Sequence, residues 1–470
     1  MGIFNIVKKV SFLSFLLFFF GCKTEPNLKQ NTPEYVSKID TLITKSFERD
    51  LFNGNILISK NDIIVYQKSF GYIDGSQQTK LDTKSIFNIG SIAKEFNGVS
   101  IMILAERGLL SLDDSISKYD LGLPKWAEKV TIRHLLNYSG GLPAIDLEVK
   151  NDRDAIKNLK SLDSLLFEPG TNFNYNNNSV FIQRRLIEKV TSQSFEEFVI
   201  ENIIVPLKMT NSVFDPQKRH INRTSCYDFD KIKCPEIQFI SGWLWTDIND
   251  LYKWINSMNS NVLISQESFK ALLKNPYVDG KTSSVGEYFE EEQIQRHNGT
   301  SYKFESIFLN DFKNDIVIIL LSNNRNVVWD IGHQVHDIML GKEFVIPKKS
   351  ISQAIRSSCF ENVDKGIKLY YDLKEKHLNE YSFENPNELN RLGYELLRNG
   401  NVQNAIRVFQ LAISEFPNNA NVYDSLGEAF YTNEQYELAL INYRKSLKLN
   451  PESESAKKMI EKISVTLKNN

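Results

Sequence analysis

Two stretches far apart in the chain share one layout, apolar runs on either side of a short polar turn. Residues 55–72, NILISKNDIIVYQKSFGY, place two β-rich runs around Lys-Asn-Asp and predict a hairpin. Residues 304–323, FESIFLNDFKNDIVIILLSN, repeat the layout with a second run so continuously apolar that it suits a central strand. Strands at both ends of a long stretch with helical patterns between them predict an α+β domain: one antiparallel sheet, flanked by helices, with a helical subdomain inserted. After Ser91, the residues Ile92, Phe96, Val99, Ile103 and Leu104 recur at helical spacing until Gly108 ends the pattern. Ile248, Leu251, Trp254, Ile255 and Met258 do the same behind Thr246, the expected N-cap, and both stripes read as core.

Near residue 345 the β pattern stops and a charged segment rich in Leu, Tyr and Ala takes over. Aligning 386–419 with 420–453 at a period of 34 superposes Leu392-Gly393 on Leu426-Gly427, Ala405 on Ala439, Phe409 on Tyr443 and Pro417 on Pro451. This is the tetratricopeptide pattern, an all-α module of paired helices. Two units fall short of the three or so that bury a continuous core, so flanking helices should cap them. Residues 361–378 and the tail 454–467 are the candidates.

The chain has 470 residues, enough for two to three domains. Its formal net charge of −2 and pI near 6.4 leave no basic excess for a phosphate backbone, which argues against a nucleic-acid partner. At the start, Lys8 and Lys9 precede an apolar run from Val10 to Phe20 that closes on Gly21-Cys22. The layout is that of a signal peptide over 1–21, and the run is well short of the ~20 residues a membrane-spanning helix needs. A Cys after a small residue at that point resembles a bacterial lipobox, which would make Cys22 the lipidated first residue and residues 22–34 a tether. The expectation is an exported lipoprotein of the bacterial cell envelope, held to the membrane by that anchor alone; cleavage elsewhere, with Cys22 discarded, is the alternative. Of the other cysteines, Cys226 and Cys234 could close a small loop as a disulfide or stay as two thiols. Neither their spacing nor that of the six His suggests a metal site, and no cofactor is expected.

The segment NIGSIAK sets Ser91 three residues ahead of Lys94. Ser-x-x-Lys recurs at Ser115/Lys118 and Ser455/Lys458, so spacing alone decides nothing, and a Ser at a helix start is often only a cap. A capping box would carry Glu or Gln where Lys94 stands, and a cation in a first turn opposes the helix dipole. Desolvation beside that positive helix end would favour the neutral amine, able to take the Ser91 proton. Ser115, by contrast, lies among acids in LDDSISKY. A serine hydrolase of this kind also needs a group to protonate the leaving atom, and Tyr175 with Asn177 in EPGTNFNYNNNSV supplies one candidate set. RHNGTSYKF supplies another: His297, Gly299, which would let a substrate lie close to the strand, and Thr300, whose N–H could join that of Ser91 as an oxyanion hole.

The ordered Ser-x-x-Lys, Tyr-x-Asn and His-x-Gly, with VTIRHLLNYSGGLP (130–143), FEPGTNFNYNN and PLKMTNS (206–212), resemble the serine hydrolases related to class C β-lactamases and penicillin-binding proteins. The resemblance covers about 35–345. It implies a β-lactamase/transpeptidase-like fold with the site between sheet and helical region. It further implies Ser91 as acylated nucleophile, Lys94 as its base, Tyr175 as proton relay, Asn177 as substrate ligand and His297 and Gly299 as the strand-side wall. The third motif here is His-Asn-Gly where relatives that hold a substrate carboxylate usually carry Lys-Thr-Gly, so a permanent cation is absent. Arg296 faces the other way along the strand and is no substitute. His-x-Gly forms are common in esterase-like and peptidase-like branches, which favours an ester or amide substrate, small molecule or peptide, over a β-lactam. Glu168 and Asn172 in EPGTN belong to a Pro-Gly turn and receive no catalytic role.

The expected organisation is therefore a hydrolase domain over 35–345, linker and capping helices over 346–385, two tetratricopeptide repeats over 386–453 and a capping helix over 454–470. The rival function is a catalytically silent protein that uses both parts for binding. The repeats either hold a protein or peptide partner or cover the hydrolase and stabilise a dimer.

Overall fold

The computed structural model describes residues 33–145, 149, 151–214, 222–228, 231–234, 243–278, 281–324 and 327–469. The expected signal peptide, Cys22 and the tether up to residue 32 lie outside the described residues. Both sequence-read hairpins form. Gly54–Lys60 pairs with Ile63–Phe70, and Asn61 and Asp62 between them both sit at positive φ, 52° and 57°. That pair of left-handed residues gives the two-residue turn whose twist matches its strands. Phe304–Asp311 pairs with Ile316–Ser322, and the latter also pairs with Gly54–Lys60, joining the two ends of the domain. Outward from there lie Ile294–Ser301 and the short Glu287–Phe289, so the six-stranded sheet is antiparallel throughout.

Alternation along the central strands explains why their apolar runs are unbroken. Ile56, Ile58, Ile318 and Leu320 face the helices Glu34–Glu48 and Val328–Met339, whereas Leu57, Ile319 and Leu321 face the core containing Phe96, Val99 and Trp254. With both faces covered, every residue of Ile316–Ser322 is buried.

Two helix starts differ from expectation. The chain after Ile89 makes a 3₁₀ turn, Gly90–Ala93, before the α-helix Lys94–Glu106 begins, and Gly108 at φ 70° follows its end. The helix Ile248–Asn259 is capped by Asp247, whose side chain accepts the Asp250 N–H at 2.8 Å, and not by Thr246. Thr246 is held back as the last residue of the strand Leu244–Thr246, paired with Phe87, and its hydroxyl bonds Ser212 at 2.7 Å. The stripe itself is core: Ile248, Leu251 and Trp254 are fully buried.

Beyond the sheet domain the chain is helical. Ile351–Glu361 and Val363–Lys376 pack as a hairpin ahead of Pro386–Arg398, Val402–Glu415, Ala420–Thr432, Tyr436–Leu449 and Glu454–Asn469. These share a separate core that includes Cys359, Tyr370, Leu392, Phe409, Leu426 and Tyr443. The repeat is visible in its packing. A Cβ on Gly393 would stand 2.4 Å from the Phe409 ring, and one on its counterpart Gly427 would stand 3.0 Å from the ring of Tyr443. Ala405 and Ala439 are both fully buried where the paired helices approach. Arg49 reaches across to the connecting segment, donating to the Pro347 carbonyl at 2.8 Å.

Candidate active site

Backbone contacts seat the Ser91 turn against the sheet. A Cβ on Gly299 would lie 1.8 Å from the Ile89 carbonyl oxygen, and one on Gly90, at φ 54°, would lie 2.5 Å from the Thr300 nitrogen. Both positions therefore require glycine. Ser306 on the neighbouring strand fastens the same junction, donating to the Ile89 carbonyl at 2.8 Å and lying 3.3 Å from that of Gly299. The bare side of Gly299 is thus filled by the turn that carries Ser91, a use the sequence reading did not foresee. Thr300 is brought beside the turn that carries Ser91. The Asn88 side chain accepts the Gly90 N–H at 2.9 Å and shapes the turn from the other end.

Ser91 is not a cap: it lies inside the 3₁₀ turn, and the cap positions of that turn and of the helix after it are Ile89 and Ala93, neither of which makes a side-chain cap. Instead Lys94 Nζ lies 2.7 Å from Ser91 Oγ, and the Lys94 side chain is buried. Lys94 Nζ also stands 5.1 Å from the centre of the Tyr175 ring. The other two Ser-x-x-Lys pairs have no such setting. Ser115 caps a 3₁₀ turn and Lys118 is paired with Asp114 at 2.9 Å on the surface, while Ser455 and Lys458 lie on the last helix.

Tyr175 is about two-fifths exposed, at 40%. Asn176 caps the next helix by accepting the Ser179 N–H at 2.7 Å, and Asn177 is that helix's first residue. Behind Tyr175 sits Tyr138, with ring centres 4.7 Å apart. Burial pushes the Tyr138 phenol well above its ordinary range, with smaller electrostatic contributions from the neighbouring Tyr175 and Glu95. Its backbone is in the left-handed region, φ 53°, and its carbonyl accepts the Asn174 N–H at 2.9 Å, tying the Tyr175 loop down. Tyr138 lies in a quoted motif, but its role depends on a partner 37 residues further along the chain.

His297 is buried, and its Nδ1 lies 2.8 Å from Glu95 Oε1, while Glu95 Oε2 accepts the Trp254 indole N–H at 2.7 Å. The Trp254 ring stacks on Phe96 at 3.8 Å between centres. Glu95 was missed in the sequence. The available signal was an acid next to Lys94 inside an apolar helix, since a buried carboxylate must have partners. Arg296, on the opposite face as expected, pairs with Glu287 at 2.7 Å and lies over Trp329. Glu168 is at the surface with Lys129, 2.8 Å away. Glu287–Phe289 pairs only with Ile294–Arg296, so among the described residues no strand covers that edge from His297 to Ser301. Among the described residues no three His, Cys, Asp or Glu converge as a metal site would require, and no helix is long and apolar enough to cross a membrane. Cys226 and Cys234 are buried thiols, and burial, followed by the hydrogen bond with Cys226, pushes Cys234 up to about 12.

Residues 39–330 match the family described as Beta-lactamase, and 420–453 match the tetratricopeptide repeat. Protein flp of Staphylococcus aureus (strain MW2) is 27% identical over 323 residues, 62% of this chain and 64% of that protein. The chain thus spans less than two thirds of that relative's length. Among solved structures, the octameric penicillin-binding protein homologue from Pyrococcus abyssi aligns with a TM-score of 0.59 at 25% identity, over 66% of this chain and 78% of that one. FmtA from Staphylococcus aureus shares the fold, with a TM-score of 0.57 at 22% identity over 66% of this chain and 87% of that one. The chain belongs to the β-lactamase family, in a penicillin-binding-protein-like form that ends in tetratricopeptide repeats.

Proposed function

We propose that the sheet domain is a serine hydrolase that works through an acyl-enzyme on Ser91. The observation that carries this is the 2.7 Å contact between Lys94 Nζ and Ser91 Oγ, made by a buried amine. With the amine neutral, the same contact runs in reverse: Oγ gives its proton to Nζ while attacking the substrate carbonyl carbon. The carbonyl oxygen takes up negative charge between the amides of Ser91 and Thr300. Tyr175 then delivers a proton to the leaving oxygen or nitrogen as that bond breaks and recovers one from Lys94, which gives up the proton drawn from Ser91, while Asn177 holds the substrate's amide or carbonyl. Water repeats the sequence on the acyl-enzyme, and Ser91 recovers its proton. The edge from His297 to Ser301, which no strand covers among the described residues, gives an extended substrate a place to lie.

The substrate is an ester or amide, in keeping with a strand-side wall of His297 where a carboxylate-binding site would place a lysine. The repeats bind a peptide or protein partner along their concave face. The protein acts in the bacterial cell envelope, tethered through a lipid on Cys22.

Turnover of a short-chain p-nitrophenyl ester, a D-Ala-D-Ala peptide and a cephalosporin tests the reading. Wild type should cleave at least one of the first two, and Ser91→Ala should lose at least ~10³-fold in rate. Equal rates in the two proteins would remove Ser91 from the chemistry.

A further inference from the structure

The contact between Glu95 and His297 determines what the strand-side wall can present to a substrate. Glu95 follows Lys94 directly on the nucleophile helix, yet its side chain is only 2% exposed and reaches the sheet side of the core. Each of its oxygens is committed. Oε2 faces the Trp254 indole N–H, which can only donate, and Oε1 faces His297 Nδ1, at 2.7 and 2.8 Å. With Glu95 as a carboxylate both oxygens accept, which puts hydrogen on Nδ1 and leaves a neutral His297 with a lone pair on Nε2. An imidazolium would keep the same contact with Glu95 and add hydrogen on Nε2, turning that nitrogen from an acceptor into a donor. With the ring neutral the pair carries a charge of −1, and that is the state in which the wall presents an acceptor. A lysine at position 297 would have offered a cation.

The charge reaches further into the site. Tyr138, fully buried under Tyr175, has its phenol pushed up chiefly by burial, and negative charge at Glu95 contributes. Lys94, the neighbour of Glu95 on the same helix, is engaged with Ser91 instead.

We propose that Glu95 is a positioning residue that sets the substrate class. Held by Glu95 in the neutral form with hydrogen on Nδ1, His297 selects a substrate that meets the wall with a neutral hydrogen-bond donor, an amide or hydroxyl, and rejects one that brings a carboxylate there. This rests on Ser91 being the acylated residue. In Glu95→Gln the side-chain oxygen keeps the Trp254 N–H, and the amide NH₂ turns toward Nδ1. The neutral ring is then driven to the opposite tautomer, with hydrogen on Nε2, and the wall becomes a donor.

Two matched esters of an N-acyl-D-alanine, one on D-lactamide and one on D-lactate, differ only in carboxamide against carboxylate. Wild type should prefer the lactamide ester by at least about tenfold in kcat/KM, and Glu95→Gln should narrow or invert that ratio. Nitrogen-15 spectra of histidine-labelled protein, with the His297 signal identified by its loss in His297→Gln, should show hydrogen on Nδ1 in wild type and on Nε2 in Glu95→Gln. A preference of wild type for the lactate ester, an unchanged ratio in the variant, or hydrogen on Nε2 in wild type would each overturn the proposal. So would failure to cleave either ester by an enzyme whose Ser91 still reacts with a fluorophosphonate. Absence of that reaction would instead sink the reading of Ser91 itself. If Glu95→Gln does not fold, the wild-type ratio and tautomer decide alone.

Discussion

Ser91/Lys94 and Ser115/Lys118 share a spacing and nothing else. In the first pair the lysine is buried and its amine meets the hydroxyl at 2.7 Å. In the second the hydroxyl oxygen accepts the Ser117 N–H at 3.3 Å, and the mostly exposed lysine meets the Asp114 carboxylate at 2.9 Å. What separates them is the partner each lysine can reach. At Ser115 an acid one residue before the serine takes the lysine, and free water surrounds it. At Ser91 no acid in the turn competes, because the one that follows, Glu95, is turned away and used up by Trp254 and His297. A Ser-x-x-Lys becomes a candidate for chemistry when burial and the absence of a carboxylate leave the amine only the hydroxyl.

The difference can be broken most sharply at Lys94. Lys94→Ala should lower turnover by about 10²–10⁴-fold, the usual worth of a general base, while Lys118→Ala leaves turnover unchanged. Steady-state rates on the ester cleaved by wild type would show it. Next comes the seat of the first turn, which has no counterpart at Ser115. Gly299→Ala drives a Cβ to 1.8 Å from a backbone oxygen that cannot rotate away, so it should cost at least ~3 kcal/mol in denaturant unfolding and depress activity with it.

The sheet was legible because alternation and unbroken apolar runs are local signals, and the repeats because a period of 34 superposes several anchors at once. Ser91, Lys94 and Tyr175 were legible as types in order, and the structure brings those three together. The rest depended on distant partners. Glu95 finds His297 across 202 residues of chain, and nothing near Glu95 announces a histidine. Gly299 could be read as a bare strand position, but that the Ile89 carbonyl fills it depends on how the helix docks. Thr246 was read as a cap because threonine suits the place, yet its pairing in a strand left the next residue, Asp247, to do the capping.

The second pair yields the smallest effects. Ser115→Ala removes a cap and should cost about 1 kcal/mol in stability with no loss of turnover. The Lys118 ammonium, then the Tyr119 hydroxyl and the Ser111 amide, hold the Asp114 carboxyl down at about 2. A carboxyl lowered in the folded state stabilises above its ordinary value near ~4 and loses that contribution as pH falls toward the folded value. Because Lys118 is mostly exposed, the effect should be only a few tenths of a kcal/mol, visible as a difference between wild type and Asp114→Asn that shrinks between about pH 4 and 2.

The central claim is that burial and an uncontested amine make Ser91 reactive. Treating the full chain with a fluorophosphonate, digesting it and locating the adduct by mass spectrometry tests that directly. The account predicts one adduct, on the peptide bearing Ser91, strongly slowed in Lys94→Ala and unaffected in Lys118→Ala. An unmodified Ser91, or equal labelling of Ser91 and Ser115, would contradict it.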